Sequence, residues 1–493
     1  MRNEYPALFD DSGEKLADFD ERVKAYFPFV EPHLKLHRNN PHVVYGRLDA
    51  RMVFSEINVE GLEAILELKA AHERRGEKAS MVHFPNHSSM WDFQIVQTRL
   101  AIAGIAAIIQ AGYNLSTPMS DGMLRDCGAL FVFRDDTTIY DENVWLNFAK
   151  DLAQKTLNLK DRQYEPGKGR MRVDLENLMI HTGQAMARPI RKIGGESTLF
   201  IDKHMSTAIY EAIVPEIFRQ GLDFLPFAGE TKIKPPEGGK PVRKVGRSYT
   251  GLFTNYSLIP FKLPMTLPNN NGSERYFTPV FISYERLVED QLFGFLQEMA
   301  RSDNPVVKAG ANAIDYAHSR VHRLVQRGGR VHVAFGEPIA VKDLKEQGYT
   351  YRDAPKLIHQ KAGELAVFYP TQMVALAVYL EKGGKIIPDK QAGKENPAND
   401  KKVSKRDLAD RIDMLIETLP QESLKYLPRG TNEIIAQAQD QFWQTGLRSR
   451  HVADLSGKYV HINKPEILQQ YANHNLHLVP EDMQRELITE ANL

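Results

Sequence analysis

Apolar and polar residues along the chain change period several times, and each change marks an expected element. From 56 to 75 apolar residues recur at helical spacing and the run stops at Gly76, which predicts a helix. Residues 80–84 are short and largely apolar, which predicts a strand running into Pro85, Asn86 and His87. From Ser88 the spacing is helical again, through Trp91, Phe93, Ile95 and Val96 to Ala103. Ser88 or Ser89 is the expected N-cap, because a hydroxyl there can accept a free amide of the first turn. Further apolar runs at 105–110, 129–133, 198–201, 224–227, 278–283 and 330–335 predict strands, with helical patterns between several of them at 210–219 and 306–326.

Strands alternating with helices place the chain in the α/β class: a layered mixed, largely parallel sheet flanked by helices, with N-terminal and C-terminal helical elements. Residues 1–75 read as an N-terminal helical region and 76–385 as the α/β domain. Residues 386–405 are polar and punctuated by Pro and Gly, as in a flexible linker. Residues 406–493 read as a helical region in which no strand is expected. Within the domain, 135–195 and 231–245 read as insertions. No internal repeat is visible.

Charge changes this picture little. Lys plus Arg number 63 and Asp plus Glu number 63, so the balance is zero and gives no reason to expect nucleic acid as a partner. The single cysteine, Cys127, can form neither an internal disulfide nor a structural zinc site, which fits a reducing compartment. Residues 1–15 are mixed and acidic, without the basic then apolar order of a secretory signal. The longest apolar stretch, 100–109, falls far short of the ~20 residues of a spanning helix. A cytoplasmic protein is expected, soluble or peripheral on the inner face of the cell membrane, with 100–109 and 372–380 as candidate membrane-contacting stretches. Trp91 and Phe93 are expected in the core, and His83 and His204 as structural histidines. No His-x-x-Glu-His or cysteine pair suggests a metal, and no cofactor is expected.

The sharpest chemical feature is the pair His87 and Asp92 in Asn86-His87-Ser88-Ser89-Met90-Trp91-Asp92. Five helical residues turn about 500°, so two fully helical positions would point apart. If His87 instead precedes the helix and Asp92 lies within it, the carboxylate can reach back to the imidazole. One ring nitrogen then carries its proton toward Asp92, and the other is left as an outward acceptor, which is what a general base requires.

From this pair onward, over roughly 80–385, the chain resembles the glycerolipid acyltransferase superfamily, in particular the glycerol-3-phosphate acyltransferases. That family carries four ordered blocks. The first is similar to Asn86–Asp92, with His87 and Asp92 as its named pair. Ala111-Gly112-Tyr113-Asn114-Leu115 is similar to an element of enzymes that acylate glycerol phosphate or dihydroxyacetone phosphate. Gly128-Ala129-Leu130-Phe131-Val132-Phe133-Arg134 fits the second block, and Lys203-His204-Met205 resembles a segment of the soluble plastid-type enzymes, so Arg134 and Lys203 both stand as its basic residue. The third block, Phe-x-Glu-Gly-x-Arg-Ser, is interrupted here. Phe227-Ala228-Gly229-Glu230 is followed, after an insertion, by Gly246-Arg247-Ser248, with Glu230 and Arg247 in the acidic and basic roles. Glu237-Gly238-Gly239-Lys240 mimics the pattern locally. Thr278-Pro279-Val280-Phe281-Ile282-Ser283-Tyr284-Glu285-Arg286 resembles the fourth block, and Phe335-Gly336-Glu337-Pro338 the element that closes the domain.

The resemblance implies an enzyme that moves a fatty-acyl group from a thioester, acyl-CoA or acyl carrier protein, to the first hydroxyl of glycerol 3-phosphate, a step of phospholipid synthesis. His87 and Asp92 would be catalytic, and Arg134, Lys203, His204, Glu230, Arg247 and Ser248 would bind substrate. Arg supplies planar forked donors for a phosphate and Lys a point charge. Ser248 and the amides opening the helix from Ser88 are expected to stabilise the oxyanion. Dihydroxyacetone phosphate or lysophosphatidate as acceptor, thioester hydrolysis, and a catalytically silent lipid- or carrier-binding protein are the alternatives.

Overall fold

The computed structural model describes residues 53–89, 91–112, 128–132, 137–140, 198–201, 203–227, 229–233, 242–245, 255–256, 258–268, 273–287, 328–382, 403–443, 452–462 and 465–487. Strand β1 (Phe54–Glu60), helix α1 (Leu62–Arg74), β2 (Lys78–Pro85) and α2 (Asp92–Ile102) come first. They are followed by β3 (Ala107–Gly112), β4 (Ala129–Val132), β5 (Thr137–Tyr140), β6 (Thr198–Ile201), α3 (Lys203–Arg219) and β7 (Asp223–Leu225). Next are β8 (Gly229–Ile233), β9 (Val242–Val245), β10 (Asn255–Tyr256), α4 (Ile259–Thr266), β11 (Ser273–Tyr284), β12 (Gly328–Phe335) and β13 (Ile339–Ala340). The helices α5 (Val341–Glu346), α6 (Ala354–Gly363) and α7 (Pro370–Lys382) lead to β14 (Val403–Ser404), α8 (Lys405–Thr418) and α9 (Thr431–Trp443). The last elements are β15 (Ala453–Asp454), β16 (Tyr459–Ile462), α10 (Pro465–His474) and α11 (Glu481–Leu487).

Eight strands form a mixed, mostly parallel sheet with helices around it, the α/β architecture expected from the alternating pattern. The chain divides into two compact units, 43–105 with 225–493 and 1–42 with 106–224, a division that cuts inside 76–385. In the larger unit the strand order is β1-β12-β11-β2, with β13 beside β11. In the smaller unit β3 lies between β7 and β4. A separate antiparallel trio, β10-β8-β9, and an antiparallel pair, β5-β6, sit outside the main sheet.

Strand β11 is the centre of the larger unit. It pairs in parallel with β2 from Ser273↔Lys78 to Val280↔Pro85, and antiparallel with β12 from Val280↔Phe335 to Tyr284↔Val331. All of its residues except Glu274 are buried, which is why its second half shows no alternation of apolar and polar residues. At the register Phe335, a Cβ on Gly61 would lie 1.8 Å from the Phe335 carbonyl oxygen, and Gly61 has φ 76°, so only glycine can close the β1–α1 turn there.

Two expectations are corrected. Residues 54–60 form a strand rather than the start of a helix, because they pair in parallel with β12, Ile57 against Val331 and Val59 against Val333, and Gly61 separates the two periodicities. The region after 406 contains the strands β15 and β16, and β16 pairs with β15 and with β14, which falls at the end of the stretch read as a linker. These strands are two to four residues long, too short to leave a period in the sequence. Both stretches named as membrane contacts are core. Leu100, Ile105, Ile108 and Ile109 are buried, and every residue of α7 from Pro370 to Leu380 is buried. Helix α7 is apolar all round because α8, α9, α10 and α11 enclose it in one cluster with Phe442, Leu468 and Tyr471. Among the described residues no helix is long and apolar enough to cross a membrane. The 306–326 helix expectation lies outside the described residues.

Leu376, fully buried in α7, is expected to cost roughly 2–5 kcal/mol when changed to Ala, read as a lowered midpoint in chemical denaturation. A second prediction concerns acid. His332, His359 and His474 are buried, and burial pushes their protonation down to about 4, about 3 and about 4. An unfolded chain protonates histidine near 6.5. Below about pH 6.5 the unfolded state therefore binds protons that the native state refuses, and stability falls as pH drops until the native rings titrate near pH 4. The slope approaches about 1.4 kcal/mol per pH unit for each histidine. Denaturation midpoints measured between about pH 7 and about pH 4.5 check this.

Candidate active site

Strand β2 ends on Pro85, which has no N–H to give to the ladder. The next residue keeps the strand edge closed with its side chain. Asn86 Oδ1 accepts from Ile282 N at 2.7 Å, and Asn86 Nδ2 donates to Ile282 O at 3.1 Å. This two-way amide pair continues the parallel ladder beyond its last backbone partner, Val280, and fixes the point where the chain leaves the sheet. His87 is the first residue free of the strand.

Helix α2 begins at Asp92, four residues later than the sequence pattern suggested. Its N-cap is Trp91, with no side-chain cap, although Ser89 Oγ accepts from Trp91 N at 3.1 Å. The cause is the Asp92 carboxylate. Its Oδ2 accepts from Ser88 N at 2.6 Å and from Ser89 N at 2.8 Å, so residues 87–89 turn around the carboxylate instead of starting a helix. His87 Nδ1 meets the same oxygen at 2.8 Å. Asp92 Oδ1 accepts from the Tyr284 hydroxyl at 2.5 Å. A fully buried carboxylate thus has four donors, three on one oxygen and one on the other. Burying a charged group is tolerable only with such partners.

With Nδ1–H directed at Asp92, the His87 tautomer leaves Nε2 as the acceptor. The His87 side chain is 24 % exposed, so this nitrogen belongs to the partly open side of the pair. The Phe227 ring lies 4.8 Å from the imidazole, tilted by 44°. Trp91 is core, edge-on to Phe54 at 5.8 Å. His474 from α10 is buried near the pair: burial pushes its protonation down, while the charge of Asp92 and a hydrogen bond to the Ile282 backbone pull the other way.

The structure brings His87 and Asp92 together and adds three residues that sequence reasoning did not place in a site. Phe227 and Tyr284 stand inside the stretches similar to the third and fourth blocks, and that position was the available signal. Asn86 had none beyond its place before His87. Glu285, next to Tyr284, is structural: its carboxylate takes Arg330 Nε at 3.2 Å and the guanidinium NH2 group at 2.8 Å, closing β11 onto β12. The expected oxyanion role for the amides from Ser88 is corrected, since the Ser88 and Ser89 amides are both taken by Asp92.

The expected substrate residues are placed only by backbone. Lys203 and His204 open α3, directly after β6. Strand β6 pairs antiparallel with β5, Ile201 against Thr137 and Thr198 against Tyr140. The segment between them, within the stretch read as an insertion, therefore closes on itself. The same holds for the interrupted third block. Glu230 in β8 faces Val245 in β9, and Ile233 faces Val242, so this second insertion is closed by an antiparallel ladder that ends two residues before Arg247. Arg134, Arg247 and Ser248 themselves lie outside the described residues, as do Cys127 and 237–240.

Asp92→Asn keeps the shape but places an amide donor among groups that all donate. A loss of about 1–3 kcal/mol is expected, read by chemical denaturation against the parent protein. A scan against models of protein families finds none that matches the chain, and a search of curated proteins finds no match either.

Proposed function

We propose that the chain is a glycerol-3-phosphate O-acyltransferase, transferring a fatty-acyl group from a thioester to the first hydroxyl of glycerol 3-phosphate. The observation that carries this reading is the His87–Asp92 pair: an imidazole held in one tautomer by a buried carboxylate, with Nε2 left to accept a proton. The order of the surrounding blocks supports the choice of substrate by resemblance. Tyr284 from the fourth and Phe227 from the third both touch this pair.

In this mechanism His87 Nε2 removes the proton of the acceptor hydroxyl as its oxygen attacks the thioester carbonyl. Asp92 stabilises the imidazolium that forms. The tetrahedral adduct collapses, the carbon–sulfur bond breaks, and the proton passes from His87 to the departing thiolate. The products are lysophosphatidate and free thiol. No acyl-enzyme is required, because a thioester is already activated. Glu230, Arg247 and Ser248 take the roles of the interrupted third block, with Arg247 as a forked donor to the acceptor phosphate. Acyl-CoA or acyl carrier protein supplies the donor. The enzyme works in the cytoplasm, and any approach to a membrane surface uses residues other than the two buried stretches named above.

The test is an assay of the purified chain with labelled glycerol 3-phosphate and palmitoyl-CoA or palmitoyl carrier protein, beside His87→Ala. Lysophosphatidate is expected from the parent protein. The variant is expected to lose about 10²–10⁴-fold in rate, while it still unfolds in one cooperative transition at a somewhat lower midpoint, since Asp92 keeps its three other donors. Free fatty acid without acceptor-dependent product would identify a hydrolase instead. Acylation of a lysophospholipid alone would move the acceptor one step along the same chemistry.

A further inference from the structure

Tyr284 closes β11 and is 1 % exposed. Its ring leans on Phe54 at 5.9 Å, and its carbonyl oxygen accepts from Gln372 Nε2. With backbone and ring both held, the hydroxyl donates to Asp92 Oδ1 at 2.5 Å. The two oxygens of Asp92 therefore do different work. Oδ2 serves His87 and the turn amides, and Oδ1 serves Tyr284.

We propose that Tyr284 is a positioning residue for the His87–Asp92 pair: its hydroxyl holds Oδ1, so that Oδ2 stays on His87 Nδ1, and it draws charge from the carboxylate that steadies the imidazolium. This rests on the reading of His87 as general base. A hydroxyl donated to a carboxylate lowers its effective charge. Remove it and the carboxylate holds the protonated imidazole more firmly, so His87 takes its proton at higher pH and is lost as a base over a wider acid range. Among the described residues, the groups that face the carboxylate are His87 with the Ser88 and Ser89 amides from the turn, Tyr284 from β11 and His474 from α10. Phe227 adds an uncharged ring beside His87. Burial pushes His474 down to about 4, so its own titration falls below the range in question.

Tyr284→Phe removes one oxygen and keeps the ring. Phe54→Leu loosens the packing of the same ring and leaves the hydroxyl. Following the His87 ring by NMR through a pH series, the Tyr284→Phe midpoint is expected to rise by about half a unit to one unit, which lowers the free base on the acid side about three- to tenfold. The Phe54→Leu midpoint is expected to stay with the parent. In the acyl-transfer assay kcat on the acid limb falls by the same factor in Tyr284→Phe, with KM for glycerol 3-phosphate unchanged. An unmoved midpoint in folded Tyr284→Phe overturns the proposal, and so does an equal rise in Phe54→Leu, since packing would then be the cause. The NMR titration needs no substrate. A chain that transfers no acyl group would sink the functional reading and still leave the role of Tyr284 measurable.

Discussion

One buried charge organises the candidate site. The Asp92 carboxylate has no exposure, and it is held by four donors from two parts of the chain. Three come from the turn just before it and one from β11. An unpaired carboxylate at this depth would be costly enough to undo the local fold. The turn therefore takes the one shape that delivers both serine amides to Oδ2, and His87 is carried with it. The position of the imidazole is a consequence of satisfying the carboxylate. The same requirement delays the start of α2, since the turn that brings the Ser88 and Ser89 amides onto Oδ2 is not helical and the helix begins only at Asp92.

Strand β11 transmits this constraint to the rest of the larger unit. Its end is held by groups from distant elements. Ser283 Oγ accepts from Val367 N at 3.1 Å, Thr371 Oγ1 donates to the Glu285 carbonyl, and Gln372 Nε2 donates to the Tyr284 carbonyl. Gln372 is itself fixed, its Oε1 accepting from Tyr369 N at 2.8 Å. From the C-terminal region, Tyr471 receives Leu287 N at 3.2 Å and Asn475 donates to the Val367 carbonyl at 2.8 Å. Gln372 takes up the last carbonyl of β11 and Thr371 the one that follows it, while the other bonds tie the neighbouring segments to this end of the strand. The helices around α7 are thus tied to the strand that presents Tyr284 to Asp92, and they are part of the site's support as well as a second core.

What could be read from the sequence follows the range of each interaction. His87 and Asp92 are five residues apart, so their pairing is encoded locally and the strand-to-helix change makes it visible. Tyr284 lies 192 residues from Asp92, and no local pattern carries that contact. Asn86 is legible as the residue after a strand-ending proline, but its partner Ile282 is not. The buried strands β2, β11 and β12 announce themselves because each holds a short stretch dominated by apolar residues. The strand β1 does not, since its exposed edge is rich in charged residues and a helical spacing continues across Gly61. Serine as N-cap was a sound local preference, overridden by a side chain three residues on.

The interrupted blocks make the same point about distance in sequence and distance in space. Closing a loop costs only slowly more as it lengthens, so an insertion is tolerable wherever its two ends are held together. Here antiparallel ladders hold both pairs of ends, Thr137 with Ile201 and Glu230 with Val245. Such a ladder fixes register as well as proximity, because a slip by one residue would turn every side chain to the other face. A motif can therefore be cut by a hairpin and keep its halves in register. The ladder from Glu230 with Val245 to Ile233 with Val242 closes the stretch read as an insertion, so its added length leaves the strand that carries Glu230 in place.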